Sequence, residues 1–295
     1  MSKLRLGIAG TGYIAGVVAR VLAEVDDVDL VAVASRRRER AQAFADAHSG
    51  VRVMDSWHEL VSMNALDAVY VATPTAAREE VCLAAARHNK HVLAEKPFAD
   101  LGSLQAITNA CRSAGVAFLD ATHFTHHPRT HQLKRELDER IGKVQAIRSS
   151  FFFPSMDRTN IRFDPSQEPT GAIGDMAWYC MRAIAEFTPP DASLVSTSGY
   201  AQRDSMSGAM IRGAGVLLLS NGCTSTWDAG YNTGAAVMDL DLLGERGMIS
   251  LDDFVLDWAG GFPVQEPDHA ARLTAWRRCA TCALSVVVRL ASPRA

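Results

Sequence analysis

The chain lacks an excess of positive charge, a cysteine framework and any long apolar run, and each shortfall removes a class of function. With 30 Lys and Arg against 33 Asp and Glu and a pI near 6.3, no broad positive field draws it toward phosphate backbones or anionic lipid. Nucleic acid and membrane partners are therefore not expected. No stretch reaches the roughly 18 apolar residues a membrane-spanning helix needs. The apolar stretch from Ala283 to Leu290 is too short for that and is expected to pack on a sheet. Six cysteines (Cys82, Cys111, Cys180, Cys223, Cys279 and Cys282) are scattered without the dense spacing of a disulfide scaffold. A reducing, cytoplasmic setting fits that usage. Cys279 and Cys282 form a single pair without βαβ context and read as core residues rather than a redox or zinc motif. Lysine is scarce, with only Lys3, Lys90, Lys96, Lys134 and Lys143, so a lysine with a chemical role is easy to locate.

What is present is ordinary globular material, 48% apolar and 21% charged, able to bury a sizeable core. A length of 295 residues exceeds what one core usually supports, so two domains are expected, 1–121 and 122–295. The first 120 or so residues alternate short apolar strands (Leu4 to Ala9, Val28 to Ala34, Ala68 to Val71, His91 to Ala94, Ala117 to Leu119) with amphipathic helical stretches (Ile14 to Glu24, Glu39 to Ala47, Ala77 to His88, Ser103 to Ser113). That alternation forces a parallel sheet with helices on its faces, an α/β fold in which ligands bind beyond the carboxyl ends of the strands. After about residue 143 the pattern changes to strand-like stretches at Val144 to Phe153, Gly215 to Leu219, Thr224 to Asp228 and Ala236 to Leu243, with one apolar helix near Gly174 to Phe187 and a polar, Pro-containing loop from Pro154 to Pro169. An α+β domain on a mostly antiparallel sheet is predicted there.

Met1 to Ala19 superficially resembles a secretory signal, but its glycines have a better use. Gly10, Gly12 and Ala15 form Gly-x-Gly-x-x-Ala directly after the first strand, and Tyr13 and Ile14 open the helix that follows. The first glycine permits a tight turn, the second lets a pyrophosphate approach the backbone, and the small third residue lets helix and strand pack closely. The helix N-terminus then faces the phosphates. At the end of the second strand, where an NAD-selective site places a carboxylate for the ribose 2′-hydroxyl, the sequence reads Ser35, Arg36, Arg37, Arg38. Hydroxyl and guanidinium donors suit a 2′-phosphate, so NADP(H) is expected over NAD(H), bound by Ser35 and Arg36 with Arg37 in reserve. Some of these arginines are expected simply to be a solvated helix start.

Ala94-Glu95-Lys96-Pro97 lies at the end of the fourth of these strands, and Ala72-Thr73-Pro74-Thr75 follows the strand before it. Together with the glycine motif and the helix at Gly174, this set resembles the glucose-fructose oxidoreductase and inositol dehydrogenase (Gfo/Idh/MocA) family, from about residue 4 to 250. The resemblance implies a doubly wound Rossmann domain and an NADP(H)-dependent dehydrogenase or reductase acting on a hydroxyl or keto carbon of a sugar, sugar derivative or cyclic polyol. It assigns Thr73, Pro74, Glu95 and Lys96 to the cofactor, and Lys96 also to the reacting oxygen. The family's second signature, an Asp with His or Tyr four residues on, is matched by Asp175 and Tyr179, which a helix would place on one face. Tyr179 is then the acid/base, its ordinary pKa near 10 lowered by the Lys96 ammonium, and Asp175 holds a substrate hydroxyl or orients the site. The tyrosine variant resembles the subgroup of dihydrodiol dehydrogenases and nucleotide-sugar 3-ketoreductases.

His123, His126, His127 and His131 raise a metal reading, but no Cys or acidic cluster accompanies them. No metal is expected, and the resemblance makes His126 and His127 substrate-cleft residues. Arg162 and Arg182 are candidates for an anionic substrate group or for structural ion pairs, with Arg162 the stronger candidate for substrate. The family pairing of open sheet faces implies a homo-oligomer, a dimer or tetramer. A contrasting possibility is a non-catalytic NADP(H)-binding sensor or structural partner, prompted by the irregular chain after Phe262.

Overall fold

The computed structural model describes residues 3–48, 50–155, 157–256, 273–278 and 285–290, the last two segments as backbone strands. The chain divides into two compact units, Met1–Ala121 with Ser166–Pro169, and Thr122–Pro165 with Thr170–Ala295. Cys279 and Cys282 lie outside the described residues.

The first unit runs β1 (Leu4–Ala9), α1 (Tyr13–Leu22), β2 (Val28–Ala34), α2 (Arg38–Asp46), β3 (Arg52–Met54), α3 (Trp57–Ser62), β4 (Ala68–Val71), α4 (Thr75–Arg87), β5 (His91–Ala94), α5 (Leu101–Ala114) and β6 (Phe118–Asp120). All strands pair in parallel, in the order β3-β2-β1-β4-β5-β6. The chain winds outward from β1 in one direction and restarts at β4 in the other, so the switch point is the β1/β4 seam, where a crevice opens beyond the strand ends. Those ends are level: Ala9 pairs with Ala34 and Val71, Ala34 with Met54, Val71 with Ala94, and Ala94 with Asp120. Strand β4 is buried throughout, and β1 and β2 are buried in their last residues, so the centre of the sheet, covered on both faces, reads as apolar runs. Ile8, Val33, Val69 and Tyr70 are fully enclosed, each contributing about 1.5–3 kcal/mol of burial. Strand β3, of three residues, and the six-residue α3 complete the winding beyond what the apolar periodicity predicts. Ser56 caps α3 by accepting from the Glu59 amide.

The second unit carries α6 (Pro128–Ile141), β7 (Val144–Phe152), α7 (Trp178–Phe187), β8 (Leu194–Arg203), β9 (Met210–Leu219), β10 (Thr224–Gly230), β11 (Val237–Gly244), β12 (Gly247–Leu251), β13 (Leu273–Arg278) and β14 (Ser285–Leu290). They form one sheet, β14-β13-β12-β11-β7-β10-β9-β8, antiparallel except for the β10/β7 pair. The mostly antiparallel sheet expected for this half is therefore present. One face is covered by a core that includes Phe151, Cys180, Ala183, Ile184, Phe187 and Leu240. The other face, over β8, β9, β10 and β7, is a shallow concavity floored by residues such as Ser150, Gly215 and Trp227. Gly213 and Gly215 make room for the Trp227 indole, since a Cβ on Gly215 would stand 2.5 Å from its ring nitrogen. Strand β8 is exposed along almost its whole length, leaving no inward alternation to read from its sequence. No described helix is long and apolar enough to cross a membrane.

Candidate active site

In the first unit, the crevice edge is built from the turns that leave β1, β2, β4 and β5. Gly10 has φ +120°, and a Cβ there would lie 2.5 Å from the Ala72 carbonyl oxygen, so the turn out of β1 can touch the β4 turn only if this residue is glycine. Gly12 is the N-cap of α1, with no side chain satisfying the helix start, and a Cβ on it would meet nothing within 4 Å. Open space over an uncapped helix N-terminus is the cradle a pyrophosphate needs. Ala15 is fully buried, while Tyr13 is 85% exposed and Ile14 40% exposed, apolar surface beside the cradle for a ligand to cover. Across the edge, the Thr11 hydroxyl donates to Ser35 Oγ at 3.1 Å. Arg38 is spent on an ion pair with Asp55. Arg36 and Arg37 are exposed and make no ion pair among the described residues.

The β4 and β5 turns are tied together by a side chain the sequence reading passed over. Arg78, in α4 and 4% exposed, donates through Nη2 to the Thr73 carbonyl at 2.6 Å, and through Nη1 to the Pro97 carbonyl and to Thr75 Oγ1 at 3.2 Å. Burial pulls its pKa below the usual arginine value, opposed by the carboxylates of Glu168 and then Glu95. Glu168 caps α4, accepting from the Thr75 amide at 3.1 Å and from its hydroxyl. The Gln167 carbonyl accepts from the Ala76 amide at 3.0 Å. Glu95, expected at the cofactor, is buried with its carboxylate accepting from Tyr70 Oη at 2.5 Å. Lys96 is half-buried in the same turn and precedes a cis proline, Pro97. The Thr73 hydroxyl is buried with no hydrogen-bond partner among the described residues.

In the second unit, the helix expected near Gly174 to Phe187 begins as a π-helix, Ile173–Ala177, and continues as α7. Gly171, at φ +49°, starts it, and a Cβ there would collide with the Met210 carbonyl at 2.3 Å. The wide turn displaces Asp175 relative to an ideal α-helix, a departure typical of functional sites. The Asp175 carboxylate accepts from Arg162 Nε at 2.7 Å and from Tyr231 Oη at 3.0 Å. Arg162 and Arg182 both make ion pairs, with Asp175 and Glu186, the structural role weighed for each. Tyr179 is 8% exposed, packed against Phe151 with ring centroids 5.2 Å apart and edge-on to His123 at 5.8 Å. Of the histidine cluster, it is His123 that meets Tyr179, its Nε2 3.0 Å from the Val255 carbonyl. His127 accepts at Nδ1 from the Arg129 amide as N-cap of α6, and His126 is exposed. Among the described residues, no group of three or more His, Cys, Asp or Glu is arranged to hold a metal.

Comparison with known proteins decides what this scaffold is. Residues 4–123 match the Gfo/Idh/MocA model described as an oxidoreductase family with an NAD-binding Rossmann fold, and residues 131–250 match the Gfo/Idh/MocA C-terminal domain. The chain belongs to the Gfo/Idh/MocA oxidoreductase family. Among its relatives, the scyllo-inositol 2-dehydrogenase (NADP(+)) IolU of Bacillus subtilis is 30% identical over 226 residues, 74% of this chain and 66% of the relative. The D-xylose 1-dehydrogenase (NADP(+)) 2 of Haloferax volcanii is 31% identical over 231 residues, 77% of this chain and 69% of the relative. The first relatives are thus matched over only about two thirds of their length. The crystal structure of KijD10, a 3-ketoreductase from Actinomadura kijaniata holding NADP and TDP-benzene, superimposes with a TM-score of 0.86 at 24% identity, covering 98% of this chain and 85% of that one. At that identity the likeness establishes the fold.

Proposed function

We propose that this Gfo/Idh/MocA chain is an NADP(H)-dependent oxidoreductase of sugars, sugar derivatives or cyclic polyols. The observation that carries the reading is the crevice edge of the first unit, where an open glycine cradle, a half-buried Ser35 hydroxyl, exposed Arg36 and Arg37 and the orphaned Thr73 hydroxyl all stand at level strand ends. Gly10, Gly12, Tyr13, Ile14 and Ala15 would receive the pyrophosphate end of the cofactor, Ser35 and Arg36, with Arg37, its 2′-phosphate, and Thr73, Pro74, Glu95 and Lys96 its nicotinamide end. Glu95 acts there through its turn, since its carboxylate is engaged with Tyr70. Bound NADP(H) would supply or accept the hydride.

The protein's own part is proton transfer and charge. Tyr179 donates its hydroxyl proton to the substrate oxygen in the reducing direction and removes it in the oxidising one. Lys96 places an ammonium at that oxygen, which favours its anionic form and that of the phenol. Asp175, fixed by Arg162 and Tyr231, presents a carboxylate to a substrate hydroxyl and orients the first turn of the Tyr179 helix. Arg162 contributes by holding Asp175, and His126 and His127 line the substrate side. The NADP(+) specificities in the names of the inositol and xylose dehydrogenases support the cofactor assignment, and their substrates support the substrate class. The open sheet face of the second unit is the surface we assign to a homo-oligomer, with exposed Leu194, Val195 and Tyr200 on β8.

The test is direct. Purified protein is titrated with NADPH and NADH, then assayed in both directions against a panel including scyllo-inositol and D-xylose. Tighter binding of NADPH together with turnover of a panel member supports the proposal. Tight NADPH binding without turnover of any polyol, sugar or keto-sugar overturns the catalytic reading and leaves a sensor.

A further inference from the structure

We propose that Arg78 is the positioning residue of the site, the group that sets where Lys96 and Thr73 stand. The inference rests on the reading above of Lys96 as an active-site group. Its basis is where the guanidinium spends its donors. Burying a cation costs several kcal/mol unless geometry compensates, and Arg78 is 4% exposed and makes no ion pair among the described residues. Its hydrogen bonds go to the backbone carbonyls of two different crevice turns, Thr73 after β4 and Pro97 after β5. One planar fork therefore fixes both turns relative to each other, and Pro97 directly follows Lys96. The third contact, Thr75 Oγ1, is itself held by Glu168, so a carboxylate sits one hydroxyl away from the buried charge. A buried cation whose backbone bonds end on the two turns that carry the nicotinamide-side residues is a brace for those turns. Lysine, a single point donor, cannot span both carbonyls.

The scarcity of lysine makes the test specific. Reductive ¹³C-methylation of the full chain labels its five lysines, and the Lys96 resonance is identified by its loss in Lys96→Arg. In Arg78→Gln, the Lys96 dimethylamine resonance is expected to move while those of Lys3, Lys134 and Lys143 stay, and NADPH is expected to bind at least tenfold more weakly. If Arg78→Gln does not fold, Arg78→Lys, which keeps the charge and loses the span, is read the same way, its extra resonance identified by comparison. A folded variant whose Lys96 resonance stays in place overturns the proposal, as does wild-type NADPH affinity in that variant. Should the wild-type chain itself fail to bind NADPH, the functional reading falls, and the Lys96 resonance alone still decides for or against the brace.

Discussion

The two glycines of the motif, Gly10 and Gly12, should fail in opposite ways when each is changed to alanine. At Gly10 the new methyl must adopt φ +120° and lie 2.5 Å from the Ala72 oxygen and 2.8 Å from its carbon, both backbone atoms that cannot swing away. Strained backbone costs about 1–3 kcal/mol and overpacking against a fixed neighbour about as much again. Gly10→Ala should therefore lose about 3–5 kcal/mol, a large share of the usual 5–15, and melt roughly 10 °C or more lower. At Gly12 the backbone is ordinary, φ −74°, and the methyl enters open space. Alanine is a poorer N-cap than glycine by about 0.5–1 kcal/mol, offset by the stiffer unfolded chain. Gly12→Ala should melt within about 3 °C of wild type, yet bind NADPH at least tenfold more weakly, about 1.4 kcal/mol, because the methyl occupies the pyrophosphate's approach. Differential scanning fluorimetry and an NADPH fluorescence titration read the two effects. A Gly12→Ala protein with wild-type NADPH affinity would refute the cradle, and a Gly10→Ala protein with wild-type melting would refute the steric argument.

Two further outcomes follow from groups at opposite ends of the first unit's strands. Arg36→Ala should weaken NADPH binding roughly tenfold, an exposed charge-assisted bond being worth about 1.5 kcal/mol, and leave NADH binding unchanged. Equal losses for both cofactors would move the 2′-phosphate elsewhere. The Arg5 side chain, with help from its amide, holds Asp67 down to a pKa of about 2. A depressed carboxylate pKa stabilises the fold above the unfolded value near 4 and loses that contribution as pH falls through 2. The pair is partly exposed, so Asp67→Asn should cost no more than about 1 kcal/mol at pH 7, and its melting gap to wild type should close between pH 4 and pH 2. A gap that persists at pH 2 would show the loss to be packing rather than charge.

The parallel half was legible because its central strands, buried toward their carboxyl ends, leave short apolar runs, and because Gly10, Gly12 and Ala15 carry a backbone requirement visible as residue type. Strand β3 and helix α3 were not, being too short for a period to register. Strand β8 escaped for another reason: with nearly every side chain exposed, nothing constrains alternation. Within the candidate site, placement was readable where it follows from neighbours in sequence, as for Lys96 in the turn after β5 and Tyr179 on α7. It was not where the role depends on long-range contacts. Arg78 looks like one more charge on a helix until its burial is seen. The Asp175 pairing with Arg162 spans an irregular loop. Among four histidines, only packing shows that His123 meets Tyr179 and that His127 caps a helix. The π-turn at Ile173–Ala177 also leaves no trace in spacing, since Asp175 and Tyr179 stand four apart in either kind of helix.

The central claim is that Lys96 and Tyr179 serve one proton transfer. The kinetic cycle of Tyr179→Phe, Lys96→Met and the double variant, read as kcat/KM on a substrate found in the panel, tests it. Each single change should cost at least about 10²-fold, and the double variant should be no slower than the worse single within about threefold, because groups acting as a unit are lost together. Losses that multiply in the double variant, or near wild-type turnover in either single one, would contradict it.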